Sequence, residues 1–307
     1  MDSKGWKKIR HRAEYLSLLG IVPFVWMVSL KTVLMMGDFL GWFVFSVLRV
    51  RRRVVLDNLA RAFPEKSKRE LLEIARRTYQ NFSKMVFEYI RFPLLDEETV
   101  SSLCTVEGIE HLDWAFERGR GAVLVSGHFG NWELMAAAVA KMGYPIYSVV
   151  GYQHNRLVDE MMNRYRRMVG NRVIHTGVAV RGVMKALKNK GFVALLSDQD
   201  AGREGVFVDF FGRKSSTHQG PAVFVLKTGA PILFGSAIRL PRGRHRFVCE
   251  RLCFDHLKGI TPENIREVTQ AYTTLLERAI RDHPDHWFWM HRRWKTHPPE
   301  EKGSQKG

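Results

Sequence analysis

Between residues 16 and 48 the chain is almost continuously apolar, "LSLLGIVPFVWMVSLKTVLMMGDFLGWFVFSVL", and its only charges are Lys31 and Asp38. A helix that crosses a bilayer needs roughly 20 apolar residues, so the length suffices for one span. The pattern then becomes helical. In "RRRVVLDNLARAFP" the apolar positions Val55, Leu59 and Ala62 recur at helical spacing, and Pro64 stops the run. "SKRE", Ser67 to Glu70, reads as a capping box that opens a second helix, ending near Arg91 ahead of Pro93. Short apolar runs and helical patterns alternate after that. Strands are expected near 103–107, 121–127, 145–150, 172–175, 191–197, 206–211, 231–238 and 245–253. Helices are expected near 109–118, 131–142, 155–169, 179–190, 217–228 and 262–282, the last with a Thr261 cap and Pro262 in its first turn. The alternation predicts an α/β fold: a mixed, mostly parallel sheet flanked by helices on both faces. With no internal repeat and no long linker, the chain divides into an N-terminal segment (1–48), one folded domain (49–298) and a polar, disordered tail (299–307).

Charge narrows the partners. Lys and Arg number 48 against 31 Asp and Glu, a formal charge of +17, which favours polyanions such as nucleic acid, anionic lipid or an acidic protein. Basic residues flank the apolar run on both sides: Lys4, Lys7, Lys8, Arg10 and Arg12 before it, Arg49, Arg51, Arg52 and Arg53 after it. A single span would leave one cluster on the outer side, against the positive-inside tendency. A tilted, re-entrant or interfacial segment keeps both clusters near the anionic cytoplasmic leaflet. The competing reading is a buried hydrophobic hairpin in a soluble protein. A cleavable signal peptide is disfavoured, because no small-x-small site follows the run. Membrane attachment and the lack of any zinc-finger, RNP or recognition-helix pattern argue against nucleic acid. Cys104, Cys249 and Cys253 are too few and too oddly spaced for a disulfide framework and are expected as reduced thiols.

Candidate chemistry gathers in "VLVSGHFGNWELMAAAVA", residues 123–140. His128 falls at the C-terminal end of a strand, where open α/β sheets place their ligand crevices. Glu133 follows in the first turn of the next helix. Five residues within one helix would put the pair on different faces, at about 140°. If His128 precedes the helix, its ring can fold back so that Glu133 accepts a hydrogen bond from one nitrogen, leaving the other as a general base. Taken alone, a His-x4-Glu pair is equally readable as a capping or core histidine.

The surrounding blocks say more. "GRGAVLVSGHFGNWEL" resembles the block carrying the catalytic His-x4-Asp/Glu motif of the lysophospholipid acyltransferase superfamily. The nearest likeness is to the late acyltransferases of lipid A biosynthesis, the lauroyl and myristoyl transferases. "RVVLDNLARAFPEKS" is similar to that family's early helix. "LLSDQDAGREGVFVDFFGRKSSTHQGPAVFVLKTGAPIL" resembles its Asp-x-Asp block, and "HPDHWFWMHRRWKTHP" its closing signature. Four blocks in order are far more specific than one motif.

The resemblance implies a glycerol-3-phosphate acyltransferase-like fold over 49–298. It implies transfer of a fatty acyl chain from an acyl carrier protein thioester to a hydroxyl of a membrane glycolipid, at the cytoplasmic side of the inner membrane. His128 would deprotonate the acceptor, assisted by Glu133. Arg166, flanked by Arg164 and Arg167, matches a family arginine implicated in substrate binding, though a solvated basic helix face is an equal reading. Asp198 ends an apolar strand, which points it toward the His128 crevice, and it matches a family aspartate; there it would orient an arginine or a sugar hydroxyl, or simply cap the loop. Asp200, two residues on, and Asn131 are further candidate substrate contacts. No cofactor or metal is implied. His283, His286 and His291 lie in the closing signature and are read as packing or interface residues rather than zinc ligands. No GxSxG elbow supports an acyl-enzyme. Other acceptors remain open: a lysophospholipid, a phosphoinositol mannoside or an aminolipid. So does a thioester hydrolase, and so does a noncatalytic basic membrane-binding protein.

Overall fold

A computed structural model of the protein describes residues 3–299. Residues 1–2 and 300–307 lie outside it, and with them all of the expected tail except Pro299. Two helices, α1 (Ser3–Met27) and α2 (Leu30–Phe43), are separated by a break where Ser29 caps α2 through the Thr32 N–H. The second continues as a π-helical turn, Val44–Leu48. Leu30–Leu48 is long and apolar enough to cross a membrane by length and composition.

Helix α3 (Arg52–Ala62) buries the expected Val55, Leu59 and Ala62. In α4 (Lys68–Ile90) Ser67 and Glu70 cap each other as the sequence predicts. A short α5 (Glu97–Leu103), capped by Asp96, leads into β1 (Cys104–Glu107). There follow α6 (Ile109–Glu117), β2 (Ala122–Ser126), α7 (Trp132–Lys141), β3 (Ile146–Val150), α8 (Arg156–Met168), β4 (Arg172–His175), α9 (Ala179–Lys188) and β5 (Phe192–Leu196). The chain ends through β6 (Val206–Phe210), β7 (Arg213–Thr217), α10 (Gly220–Thr228), β8 (Ile232–Arg239), β9 (His245–Leu252) and α11 (Pro262–Asp282).

Seven strands form one sheet in the order β1-β9-β8-β2-β5-β3-β4, and β6-β7 form a separate hairpin. Neighbours in the large sheet are parallel except β8 and β9, so it is mixed and mostly parallel. Alternate residues of β2 serve opposite faces. Val123 and Val125 pack with α3, α4 and α9–α11. Ala122 and Leu124 pack with α6 and α7. Each such valine or leucine side chain removed from water contributes about 1.5–3 kcal/mol, which is why a strand buried on both faces reads as an unbroken apolar run.

Strand β7 escapes pattern reading, which starts a helix at 217. Its sequence, "RKSST", is polar, yet Ser215, Ser216 and Thr217 are buried. Their hydroxyls bond to backbone carbonyls instead; that of Ser216, for example, donates to Gly202 O at 2.6 Å. Small polar residues satisfied in this way leave no hydrophobic alternation to detect.

Candidate active site

Two strand ends make the site. β2 and β5 are parallel neighbours with Ser126 opposite Leu196, and Ser197 N–H donates to Ser126 O at 3.0 Å. Gly127-His128 and Ser197-Asp198 therefore leave the sheet side by side, although 70 residues separate the histidine from the aspartate. His128 Nδ1 lies 2.8 Å from Asp198 Oδ1. Oδ2 accepts the His128 backbone N–H at 2.8 Å and Trp287 Nε1–H at 2.7 Å. Asp198 is buried, and His128 keeps part of its ring at the surface. Nε2 has no hydrogen-bond partner among the described residues.

The electrostatics follow from this geometry. Burial alone would pull the His128 pKa down, but the Asp198 charge and hydrogen bond, helped by Glu133 at longer range, outweigh it and raise the pKa above the usual histidine value. Burial pushes the other way on Asp198, where the imidazole and the donated hydrogen bonds hold the carboxyl below the usual carboxylate range. An ionised Asp198 takes the Nδ1 proton as a hydrogen bond, so the lone pair of neutral His128 sits on Nε2.

The expected His128–Glu133 hydrogen bond is absent. Glu133, in the first turn of α7, turns to α8, where the Arg166 guanidinium takes both of its carboxylate oxygens at 3.0 and 2.5 Å. A planar guanidinium matches a carboxylate with two parallel bonds, which an imidazole cannot do. Arg166 is itself buried and also donates to Asn163 Oδ1 at 2.7 Å. Arg164 and Arg167 are exposed, whereas the buried Arg166 is not part of a solvated basic face.

Two other expected substrate contacts have partners within the protein. Asn131 is fully buried; it caps α7 by accepting from Leu134 N–H and donates to Glu88 Oε2 at 2.7 Å. No surface of it is left to meet a substrate. Glu88 in turn holds Arg239, fixing α7 to α4 and β8. Asp200 gives both oxygens to Thr296, and its backbone N–H donates to His291 Nε2, which ties down the closing segment. Asp198 is buried and bonds to His128 and Trp287. His286 accepts from the Arg239 N–H, and His283 lies against its ring, so these histidines pack; among the described residues no group of side chains suits a metal.

The closing segment supplies what sequence reasoning missed. Gly130 N–H donates to His286 O, and Phe288 N–H to His128 O. This short bridge brings Trp287 onto Asp198. At Gly130 φ is +58°, and a Cβ would lie 1.7 Å from Ala237 O, so only glycine fits the turn. Trp132 sets its ring edge-on to His128 with centroids 4.9 Å apart, and Phe288 and Phe82 complete an aromatic rim. The run "HWFWM" is visible in the sequence, but its register against the His128 loop is not. A mostly apolar cavity of about 90 Å³ lies between the sheet and α7, lined by Leu124, Met135, Val139 and Leu196, with Trp132 and the Glu133–Arg166 pair also on its wall. Of the other aromatics, Phe129 and Phe210 belong to the core.

A mixed, mostly parallel α/β sheet with a carboxylate-held histidine at its strand ends, beside an apolar pocket, defines the class of protein. Residues 3–296 match the bacterial lipid A biosynthesis acyltransferase family, and the chain belongs to that family and is an acyltransferase. It is 25% identical over 298 residues to the lipid A biosynthesis palmitoleoyltransferase of Escherichia coli (strain K12), covering 95% of both chains. To the lipid A biosynthesis lauroyltransferase of the same strain it is 26% identical over 294 residues, 94% of both. To a phosphatidylinositol mannoside acyltransferase of Mycobacterium tuberculosis (strain ATCC 25618 / H37Rv) it is 26% identical over 232 residues, 74% of this chain and 72% of that one.

Proposed function

We propose that the protein moves a fatty acyl chain from an acyl carrier protein thioester to a hydroxyl of a lipid A precursor, at the cytoplasmic face of the inner membrane. The observation that carries the mechanism is the His128–Asp198 pair with Nε2 left free. His128 Nε2 takes the acceptor hydroxyl proton. The oxygen attacks the thioester carbonyl, the tetrahedral intermediate expels the carrier thiolate, and the imidazolium returns its proton to that sulfur. Asp198 fixes the tautomer and balances the imidazolium. Glu133 assists from a distance, through its charge and by anchoring α7 to α8 with Arg166. The apolar cavity beside Trp132 suits the first carbons of the acyl chain.

The basic surface suits an acidic carrier protein and anionic lipid alike, and the apolar N-terminal helices suit attachment to the membrane. The histidine at a strand end, just before a helix, supports a glycerol-3-phosphate acyltransferase-like architecture. The match to a phosphatidylinositol mannoside acyltransferase favours a second reading in which the acceptor is another membrane glycolipid. One assay separates them: purified protein, labelled acyl carrier protein thioester, and either a tetra-acylated lipid A precursor, a phosphoinositol mannoside or a lysophospholipid. Acylated lipid A precursor is the expected product, and it should vanish with His128→Ala. A folded His128→Ala protein with near-normal transfer would sink the mechanism; free fatty acid without acylated lipid would mean hydrolysis instead.

A further inference from the structure

Helices α1 and α2 are not free. α2 runs antiparallel to α4, with Gly37 against Lys84 and Gly41 against Gln80; a Cβ at Gly41 would lie 2.5 Å from the Gln80 backbone. Asp38 and Lys84 form an ion pair at 2.7 Å across this seam. The far end of α1 is fastened too. Trp26 Nε1–H donates to Ile90 O, and the Arg91 guanidinium holds the carbonyls of Val25 and Val28. Near its start, α1 meets α8, where Asn155 donates to His11 O. After the π-helical turn Tyr79 OH donates to Val50 O.

This clamping is incompatible with a crossing. The 19 residues Leu30–Leu48 would reach about 28 Å, enough to span. To span while docked, α2 would drag α4 into the bilayer with Glu73, Arg76, Arg77 and Lys84, at roughly 2.5–3.5 kcal/mol for each charge. To span alone, it would have to abandon the glycine seam and the ion pair.

The outer side of the pair nevertheless asks for lipid. Phe24 and Met27 of α1 and Met35, Phe39 and Trp42 of α2 are exposed. Val47, Leu48 and Val50 extend the apolar surface to a turn where Arg49 and Arg51 both take left-handed backbone, φ 54° and 53°. Such a conformation costs roughly 1–3 kcal/mol for a non-glycine residue. Here it bends the chain so that Arg49, Arg52 and Arg53 line one open groove beside the apolar tip. Among these, Arg53 has a carboxylate neighbour only in Asp57, at 3.9 Å. Apolar side chains to enter the acyl region, with guanidinium groups at their edge, match one occupant: a leaflet of anionic phospholipid.

We propose that α1, α2 and the 44–53 turn lie in the plane of a single anionic leaflet while clamped to α4, and do not cross the membrane. The proposal rests on the membrane attachment argued above and goes further by fixing its geometry.

The test uses the full chain carrying Cys253→Ser, since Cys253 is the exposed thiol and Cys104 and Cys249 are buried. Single cysteines at the exposed positions Lys7, Lys31 and Arg53 are probed with an impermeant maleimide in inverted and right-side-out vesicles from producing cells. All three should react in the same vesicle orientation. A second variant, Asp38→Cys with Lys84→Cys, should be joined by a short bis-maleimide in those membranes, without detergent and with transfer retained. Lys31→Cys reacting from the opposite side to the other two would reveal a spanning hairpin, and Arg53→Cys alone on the far side a single span; either overturns the proposal. Failure of the 38–84 link would also overturn it. Protein absent from the membrane pellet would bring down the attachment reading itself, and a salt wash of vesicles containing phosphatidylglycerol distinguishes that result from the others.

Discussion

In the proposed mechanism His128 acts as a base only when neutral. With its pKa raised above the ordinary histidine value by Asp198, transfer should rise with pH through one limb centred above roughly 6.5. Asp198→Asn removes the charge and leaves burial, which pulls the pKa down. The limb should then move to lower pH, while kcat falls roughly 10²–10⁴-fold as the tautomer and counter-charge are lost. A pH–rate profile on the lipid pair reads both, and an unmoved limb would contradict the pairing. The pair also stabilises the fold in its ionised form. The histidine's share is complete below its unfolded pKa near 6.5 and fades as pH rises through the higher folded value, so the working enzyme has lost that share. Glu133 behaves differently. Glu133→Ala strands the buried Arg166 charge, which costs roughly 3–5 kcal/mol. Denaturant unfolding should show this loss alongside the lost activity. Arg166→Met added to Glu133→Ala should restore most of the stability but only part of the activity, because the Glu133 charge is still missing; full recovery of activity would mean that Glu133 acts only by anchoring α7 to α8.

The element that matters most is the start of α7. Its N-cap, Asn131, is held by Glu88, which also holds Arg239. Asn131→Ala removes the cap and one buried hydrogen bond but leaves Glu88 paired, so the expected loss is about 1–2 kcal/mol. The KM for acceptor should stay the same while the melting temperature falls. A large rise in that KM with unchanged stability would return Asn131 to the list of substrate contacts. In the sequence, "GNWE" shows a helix start and its apolar continuation. It does not show that the buried carboxylate behind the cap comes from α4, 43 residues earlier.

Across the whole molecule the N-terminal helices and the catalytic body depend on each other. Phe45 packs against Tyr79, and Val25 and Val33 share a cluster with Ile90. Removing residues 1–48 therefore does more than release a membrane anchor. Loss of Phe45 alone is worth roughly 3–5 kcal/mol, so the truncated protein should melt well below the full chain in the same detergent. Equal melting temperatures would mean that the hairpin is only an appendage.

Most strands and helices, though not β7 or the short α5, the capping box at Ser67, the apolar N-terminus and the histidine at a strand end were legible, because each depends on residues within one or two turns of one another. Periodicity, caps and run length are local properties. The partner of His128 was not legible. It is chosen by the parallel pairing of β2 with β5, a contact between strands 70 residues apart whose side-chain pattern is the same whichever strand lies alongside. The same holds for Trp287 and Arg166, and for the glycine seam where α2 meets α4. Sequence supplied a candidate base and several acidic candidates. Tertiary structure assigned Asp198 to the histidine and Glu133 to the arginine, because only the folded chain fixes which charges lie within hydrogen-bond reach.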